Sequence, residues 1–284
     1  MTDPLSDDTA WLVDESSFDV ARANYHETLF TVGNGRIGTR GTLEEGHLGA
    51  LSGTFLAGVY DGHDVPVIDL VNAPDWLDTA VYADGVRLDV DTCTVVAHER
   101  RLDLRTGVLT RTTVFADPDG RRTRLSTMRC ASMADRRVCA LRVEVTPEDH
   151  DAEIVIETGI DGDRRNLERL PVYPEGTVFD PRTRWEKWAR AEHLRETARA
   201  VTDDTLYLQM TTLDTGHDLG FLARTAYAAP PAQRSVRHRR AQITEVTTHR
   251  VAAGATIEKP APYDFPRRFH DAPARNTCIL FIRS

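Results

Sequence analysis

From about residue 54 to 160 the chain sets short β-branched or aromatic runs between Asp-Gly and polar clusters, a rhythm that predicts consecutive strands. The runs TFLAGVYDG, TAVYADGVRLDV and CTVVAHERRLDL follow one another, and Ala83-Asp84-Gly85 has the residues a type I′ hairpin turn demands. The clearest pair spans 107–130. Val108, Thr110, Thr112 and Val114 alternate with Leu109, Arg111, Thr113 and Phe115. Asp117-Pro118-Asp119-Gly120 then turns the chain, and a second alternating run returns. RRVCALRVEVTPED and DAEIVIETGID continue the meander, and further strands are expected at 205–213, 219–228 and 241–251, with Ala252–Ala255 as a turn. Alternating rather than continuous hydrophobicity means antiparallel pairing, so the expected class is all-β, a large antiparallel β-sandwich with at most one or two short helices. One surface helix or a long loop is expected at 185–200, where WEKWARAEHLRETARA joins helix formers to Glu192 and Glu196 beside Arg195 and Arg199.

A glycine-rich stretch precedes the strands. Within ETLFTVGNGRIGTRGTLEEG (27–46), Gly33-x-Gly35-x-x-Gly38 has the spacing of a dinucleotide-binding fingerprint. A strand-like run, Thr28–Val32, leads into it. The helix that should follow is contradicted by Gly38, Gly41, Gly46, Gly49 and Gly53, each costing a helix interior about 1 kcal/mol. No βαβ rhythm comes after. Tight turns and close approach of strand backbones account for these glycines better than a pyrophosphate does.

The 284 residues are 40% hydrophobic and 28% charged, an ordinary globular composition, and the net charge of −9 argues against nucleic acid or an anionic membrane surface as a partner. No apolar run is long enough to span a bilayer, and the acidic start MTDPLSDDTA lacks the apolar region of a signal peptide, so a cytoplasmic protein is expected. Cys93, Cys130, Cys139 and Cys278 have no metal-ligand spacing and read as reduced thiols. The last 26 residues differ from the rest. They hold Pro260, Pro262, Pro266 and Pro273, and from Pro260 onward four Arg stand against two Asp in an otherwise acidic chain. Only Cys278–Ile282 reads as a strand, at an edge. The expected division is a tail at 1–10, a sandwich at 11–258 and an irregular, foreign-looking tail at 259–284.

Candidate chemistry is sparse. Glu44, Glu45, Asp103 and Asp135 supply carboxylates for acid–base work, but pairing of Glu44–Glu45 and Asp103 with Arg40, Arg105 or Arg111 to fix turns is the favoured reading. Trp76, Trp185 and Trp188 are candidates for stacking on sugar rings, against the alternative that each plugs the core or anchors a helix. The histidines include no H-x-x-x-H pattern, Asp161–Asn166 lacks the rest of a calcium loop, and no metal is expected. The basic cluster RSVRHRR (234–240) reads as a solvated hairpin end or a docking surface.

Several segments together resemble the N-terminal domain of glycoside hydrolase family 65. They are Glu27–Phe30, Gly33–Gly41 (GNGRIGTRG), Glu44-Glu45, Ala57–Asp61, Leu70–Leu77 (LVNAPDWL), Leu102–Leu109 (LDLRTGVL) and Ser132–Asp135, in shared order across about 11–258. The resemblance implies a galactose-mutarotase-like supersandwich. It also implies a following (α/α) barrel that holds the general acid and the phosphate site, with inorganic phosphate as co-substrate and an α-linked glucose disaccharide as substrate of the intact enzyme. On that reading no catalytic residue lies in this chain, no cofactor is needed, and the partners are the missing barrel and a possible second copy. Asn34, Arg40 and Glu44 are expected to position the interdomain edge. The tail is then expected to come from a truncated or frame-altered gene. The rival is a stand-alone carbohydrate-binding sandwich using the tryptophans; a third reading is a small hydrolase using Glu44, Glu45 or Asp103.

Overall fold

The computed structural model describes residues 8–65, 67–169, 176–178, 180, 183, 189–258 and 278–283. After a single 3-10 turn (Asp8–Trp11) come β1 (Leu12–Glu15), α1 (Ala23–Leu29), β2 (Val32–Gly33), β3 (Ile37–Thr39), β4 (Thr54–Asp61), β5 (Asp69–Ala73), β6 (Thr79–Ala83) and β7 (Val86–Arg87). The meander follows as β8 (Thr94–Asp103), β9 (Val108–Ala116), β10 (Arg122–Ala131), β11 (Val138–Pro147) and β12 (Ala152–Asp161). The remainder is β13 (Asn166–Arg169), β14 (Ala189–Ala191), β15 (Leu194–Val201), β16 (Thr205–Thr212), β17 (Asp218–Thr225), β18 (Gln233–Arg239), β19 (Gln242–Val251), β20 (Ile257–Glu258) and β21 (Cys278–Arg283).

Every strand pairing is antiparallel. A ten-stranded sheet runs β1-β8-β9-β10-β11-β21-β17-β16-β15, with β20 also on β11. It packs on a five-stranded sheet, β18-β19-β12-β6-β7; small sheets β2-β3-β4-β5 and β13-β14 complete the fold. Phe115, Leu125, Leu141, Val143 and Val145 of the large sheet share one core with Val81, Ile154, Ile156 and Ile243 of the smaller one.

Turn chemistry explains the hairpins. Asp84 and Gly85 take φ of 48° and 82°, the left-handed pair a type I′ turn needs. Asp117 Oδ1 accepts the N–H groups of Asp119 and Arg121, each at 2.9 Å, and so closes the β9–β10 turn.

Four local expectations need correction. Thr28 and Leu29 end a helix, α1, rather than begin a strand; its Thr28 hydroxyl bonds back to the Asn24 carbonyl. Of the stretch expected to be a helix or a long loop, residues 185–188 lie outside the described residues, and 189–191 and 194–201 form strands. In β15 a register shift between Glu196 and Ala198 lets the Glu196 and Arg199 side chains pair, which satisfies the charges that had suggested helical spacing. The basic cluster lies mostly in a strand, β18, which pairs with β19 along its length and leaves its arginines in solvent. Finally, β21 is no edge strand: it pairs with β11 on one side and β17 on the other.

One face of the large sheet positions the candidate site. The cross-strand rows His98–Thr113, Arg100–Arg111 and Leu102–Leu109 continue into Leu125, Thr127 and Arg129 of β10, then into Leu141, Val143 and Val145 of β11. All these side chains are buried. The face is apolar toward β11 and charged toward β8, and the charged end is covered by α1 and the 40–53 loop.

Candidate functional site

The cover over the charged end begins at two glycines. Gly35 takes a φ of 82° in the turn between β2 and β3. Gly41 passes so near α1 that a Cβ there would stand 2.5 Å from Phe30 Cβ, while its N–H donates to the Glu27 carbonyl at 2.7 Å. Only a residue without a side chain fits. The fingerprint spacing therefore serves chain packing, and helix α1 lies before the glycines rather than after them.

Beneath this cover, Arg111 donates from Nη1 and Nη2 to the Glu45 carboxylate at 2.6 Å each, and from Nη1 to Glu44 Oε2 at 3.0 Å. Arg129 reaches Glu44 Oε1 at 3.2 Å. The four side chains are 1–4% exposed, so two carboxylates and two guanidiniums neutralise one another out of water. Burial raises the Glu44 pKa, yet the charges of Arg129 and Arg111 outweigh it and hold the carboxyl below the ordinary range. A second group lies alongside. Glu15 accepts from Arg100 Nε and His98 Nε2 and lies in ion-pair contact with His26, and Arg100 also donates to the Gly41 carbonyl at 2.7 Å while lying over the Phe30 ring.

Two buried histidines here hold opposite charge states. His47 faces the Leu48 carbonyl with Nδ1 (2.9 Å) and the Glu27 carboxylate with Nε2 (3.2 Å). Both partners only accept, so both ring nitrogens must carry protons. The pKa is accordingly raised: burial lowers it, but the bonds to Glu27 and Leu48 prevail. His98 donates from Nε2 to Glu15, and its Nδ1 meets the Thr113 hydroxyl at 2.8 Å. Arg111 Nε already donates to that hydroxyl at 2.9 Å, which leaves the Thr113 proton for His98 Nδ1. His98 is thus neutral, its pKa lowered by burial and by the charges of Arg111 and Arg100 against the pull of Glu15.

The residues singled out from sequence separate into distinct places. Asn34 is buried, donates to the carbonyls of Ser132 (2.8 Å) and Arg136 (3.2 Å), and accepts from the N–H groups of Arg36 and Ile37; it ties the β2–β3 turn to the β10–β11 turn. Arg40 pairs with Glu27 at 3.3 Å and donates to the Leu51 carbonyl, not to Glu44. Asp103 caps its own turn by accepting the Arg105 N–H at 2.8 Å. Asp135 pairs with Arg137 at 2.8 Å in the β10–β11 turn. Trp76 is 4% exposed and donates from its indole to Thr39 Oγ1 at 2.9 Å, so it is part of the core and offers no stacking face. Trp185 and Trp188 lie outside the described residues. Sequence reasoning missed Arg100, Arg129 and Glu15; for the two arginines the signal was arginine recurring on the inward phase of strands.

On the outer face of the five-stranded sheet lies a polar cleft of about 150 Å³ lined by Asp78, Tyr82, Arg87, Glu157, Arg237 and Gln242. It is open, and its acids are occupied: Glu157 pairs with Arg237 at 2.8 Å, and Asp78 accepts from Gln242 at 2.7 Å. Burial, and then the nearby Asp161, push the Asp78 carboxyl up to about 6. A carboxyl raised in the fold favours folding least where it must ionise, so Asp78 subtracts stability as pH rises from about 4 to 6, and the deficit persists above. Asp78→Asn is therefore expected to raise stability by about 1 kcal/mol at pH 8 and by much less at pH 4.5. Urea midpoints at the two pH values check this; an equal gain at both would show that ionisation is not the cause.

Comparison with known proteins bears on what this arrangement belongs to. The model of the glycosyl hydrolase family 65 N-terminal domain matches residues 13–263. Kojibiose phosphorylase of Thermoanaerobacter brockii is 37% identical over 158 residues, 56% of this chain and 20% of that protein. Nigerose phosphorylase of Lachnoclostridium phytofermentans is 30% identical over 215 residues, 76% of this chain and 27% of that protein. The chain thus spans about a fifth to a quarter of the length of these relatives. A solved structure, a provisionally assigned kojibiose phosphorylase from the human microbiome, shares the fold over 96% of this chain and 32% of its own, with a TM-score of 0.72 at 17% identity. No helix among the described residues is long and apolar enough to cross a membrane.

Proposed function

The chain belongs to the glycosyl hydrolase family 65 N-terminal domain family, and from that premise we propose that it is the non-catalytic sandwich of an α-glucobiose-processing phosphorylase or hydrolase of the cytoplasm. It acts there by docking against a catalytic barrel, and Asn34, Arg40 and Glu44 set the shape of the docking edge. The barrel brings the general acid, the phosphate site and the disaccharide specificity.

One observation carries this reading. The buried carboxylates of the family-like segments are each committed to arginine, histidine or backbone donors: Glu44 and Glu45 to Arg111, and Glu27 to Arg40, His47 and Leu51. Glycoside cleavage needs an acid and a base or nucleophile facing each other across a space for the sugar. A carboxylate already neutralised by a buried guanidinium has neither the raised pKa of a proton donor nor room for a substrate. Exposed Val67 and Ile68, 71% and 65% accessible near the β4–β5 connection, suit association with a further domain or a second copy.

The purified chain is expected to release no glucose 1-phosphate from kojibiose, nigerose, trehalose or maltose in phosphate buffer, and no glucose in its absence. Kojibiose phosphorylase from Thermoanaerobacter brockii, assayed in parallel, confirms that the assay detects turnover. Turnover by the 284-residue chain that survives Glu44→Gln would overturn the proposal in favour of chemistry elsewhere in the chain. Turnover abolished by that change would place the chemistry at Glu44.

A further inference from the structure

Strands β20 and β21 lie along the same edge of β11. Ile257 and Glu258 stand opposite Val145 and Glu144, and Cys278 through Phe281 stand opposite Leu141 through Val138. Continued in register, β20 would bring Ala261 opposite Leu141. Cys278 stands there instead, a displacement of 17 residues (278 against 261). The two strands are therefore two pieces of one line, filled by segments that are distant in the chain. The far edge of β21 pairs with β17, from Cys278 opposite Thr225 to Arg283 opposite Gly220. Among the described residues, β21 forms the ladder that joins β1-β8-β9-β10-β11 to β17-β16-β15.

We propose that the channel between β11 and β17 is a strand receptor: it takes up a short apolar extended segment by antiparallel pairing on both sides, and its occupant is Cys278–Arg283 of the same chain. Recognition of this kind comes from main-chain hydrogen bonds along two edges plus an apolar run to fill both faces, and needs no continuity with the preceding strand. The register supports that independence, because the line on β11 resumes after a 17-residue displacement without a change of direction. Closing the connection costs little more than closing a shorter one, since loop entropy grows only with the logarithm of length. Tethering supplies a high local concentration of the strand, while a free peptide of the same sequence competes on equal terms once its concentration matches.

Two variants of the 284-residue chain test this by amide hydrogen exchange. In Leu280→Pro the ring removes a ladder donor and distorts the strand. Amides of Val138–Leu141 and Gly220–Thr225 are expected to exchange at least about tenfold faster, while those of Ile154–Ile160 in β12 stay protected. Adding a synthetic peptide of residues 276–284 is expected to restore the protection; if Leu280→Pro does not fold, the peptide is added during refolding and recovery of the protected state is read instead. In the second variant residues 259–275 are deleted, which places Asn276 opposite Val143 and Thr277 opposite Arg142 and makes one unbroken strand. This variant is expected to keep the native protection pattern. Unchanged exchange in Leu280→Pro, no response to the peptide, or loss of protection in the deletion variant would each overturn the proposal. A dimer of the intact chain that exchanges this strand between copies would overturn its assignment to the same chain.

Discussion

Replacing Arg111 with alanine is expected to destabilise the chain by about 3–5 kcal/mol, the cost of leaving a buried charge without its partner. Domains of this kind hold only about 5–15 kcal/mol in total, so the variant would be marginal at room temperature. The size follows from what remains. Arg129 still faces Glu44, but Glu45 is 1% exposed and loses both hydrogen bonds to its carboxylate. Thr113 also loses its Arg111 donor, which loosens the bond that fixes the neutral form of His98. A urea titration measures the loss as a lower midpoint at unchanged slope. The double change Arg111→Met with Glu45→Met is expected to recover most of it, because a buried ion pair replaced whole by apolar side chains costs little. A single Arg111→Ala variant within about 1 kcal/mol of the parent would mean that water reaches this site and that the ions are not truly desolvated.

How much of this was legible beforehand depends on the range over which each feature is encoded. The alternation of Leu109, Arg111, Thr113 and Phe115 marks one inward face, and that face is buried as the pattern requires. The pattern even places an arginine among inward positions. Its partners are another matter, because Glu44 and Glu45 lie more than sixty residues away and no local spacing brings them to β9. Pairing of the glutamates with an arginine was foreseeable from charge alone; the choice of Arg111 and Arg129 over Arg40 was set by the sheet register. Short elements were misread for the opposite reason. Helix α1 has seven residues and no side-chain cap, and it is held by Glu27 and His26 contacts made outside itself. Strand β15 is an edge with one polar face, and its apolar period is too weak to compete with helix-like charge spacing until the bulge at Glu196 is known. The strand line shared by β20 and β21 was out of reach, because sequence carries no sign that two separated segments meet on one edge.

The same buried charges predict how the fold fails in acid. Glu15 is held down to about 2: burial raises its pKa, and the hydrogen bonds from His98 and Arg100 overcome that rise. Asp61 is likewise held to about 2, where burial is outweighed by the Thr215 and Asp214 amides and by His193, which approaches to 3.0 Å. Glu27 and Glu44 are lowered as well. A carboxylate with a lower pKa in the fold than in the unfolded chain contributes fully above its unfolded value, and loses that contribution as pH falls toward its folded value. Stability is therefore expected to decline from about pH 4.5 downward, with Glu15 alone accounting for roughly 2–3 kcal/mol by pH 2. His98 acts in the same direction, since its lowered pKa makes the unfolded chain the better proton acceptor below about pH 6.5. His47 has the opposite sign, since its raised pKa makes the folded chain the better proton acceptor, but its contribution is complete by about pH 6.5 and is constant across the acid range in which the carboxylates titrate. Urea midpoints at pH 7, 5, 4 and 3 trace the decline. In Glu15→Gln the parent level at pH 7 should already be lost, because Arg100 is left without its carboxylate, and the difference between pH 7 and pH 3 should shrink. A midpoint that stays flat to pH 3 in the parent would mean that these carboxylates are no more acidic folded than unfolded, and that the charged end of the sheet is held together by packing rather than by its ion pairs.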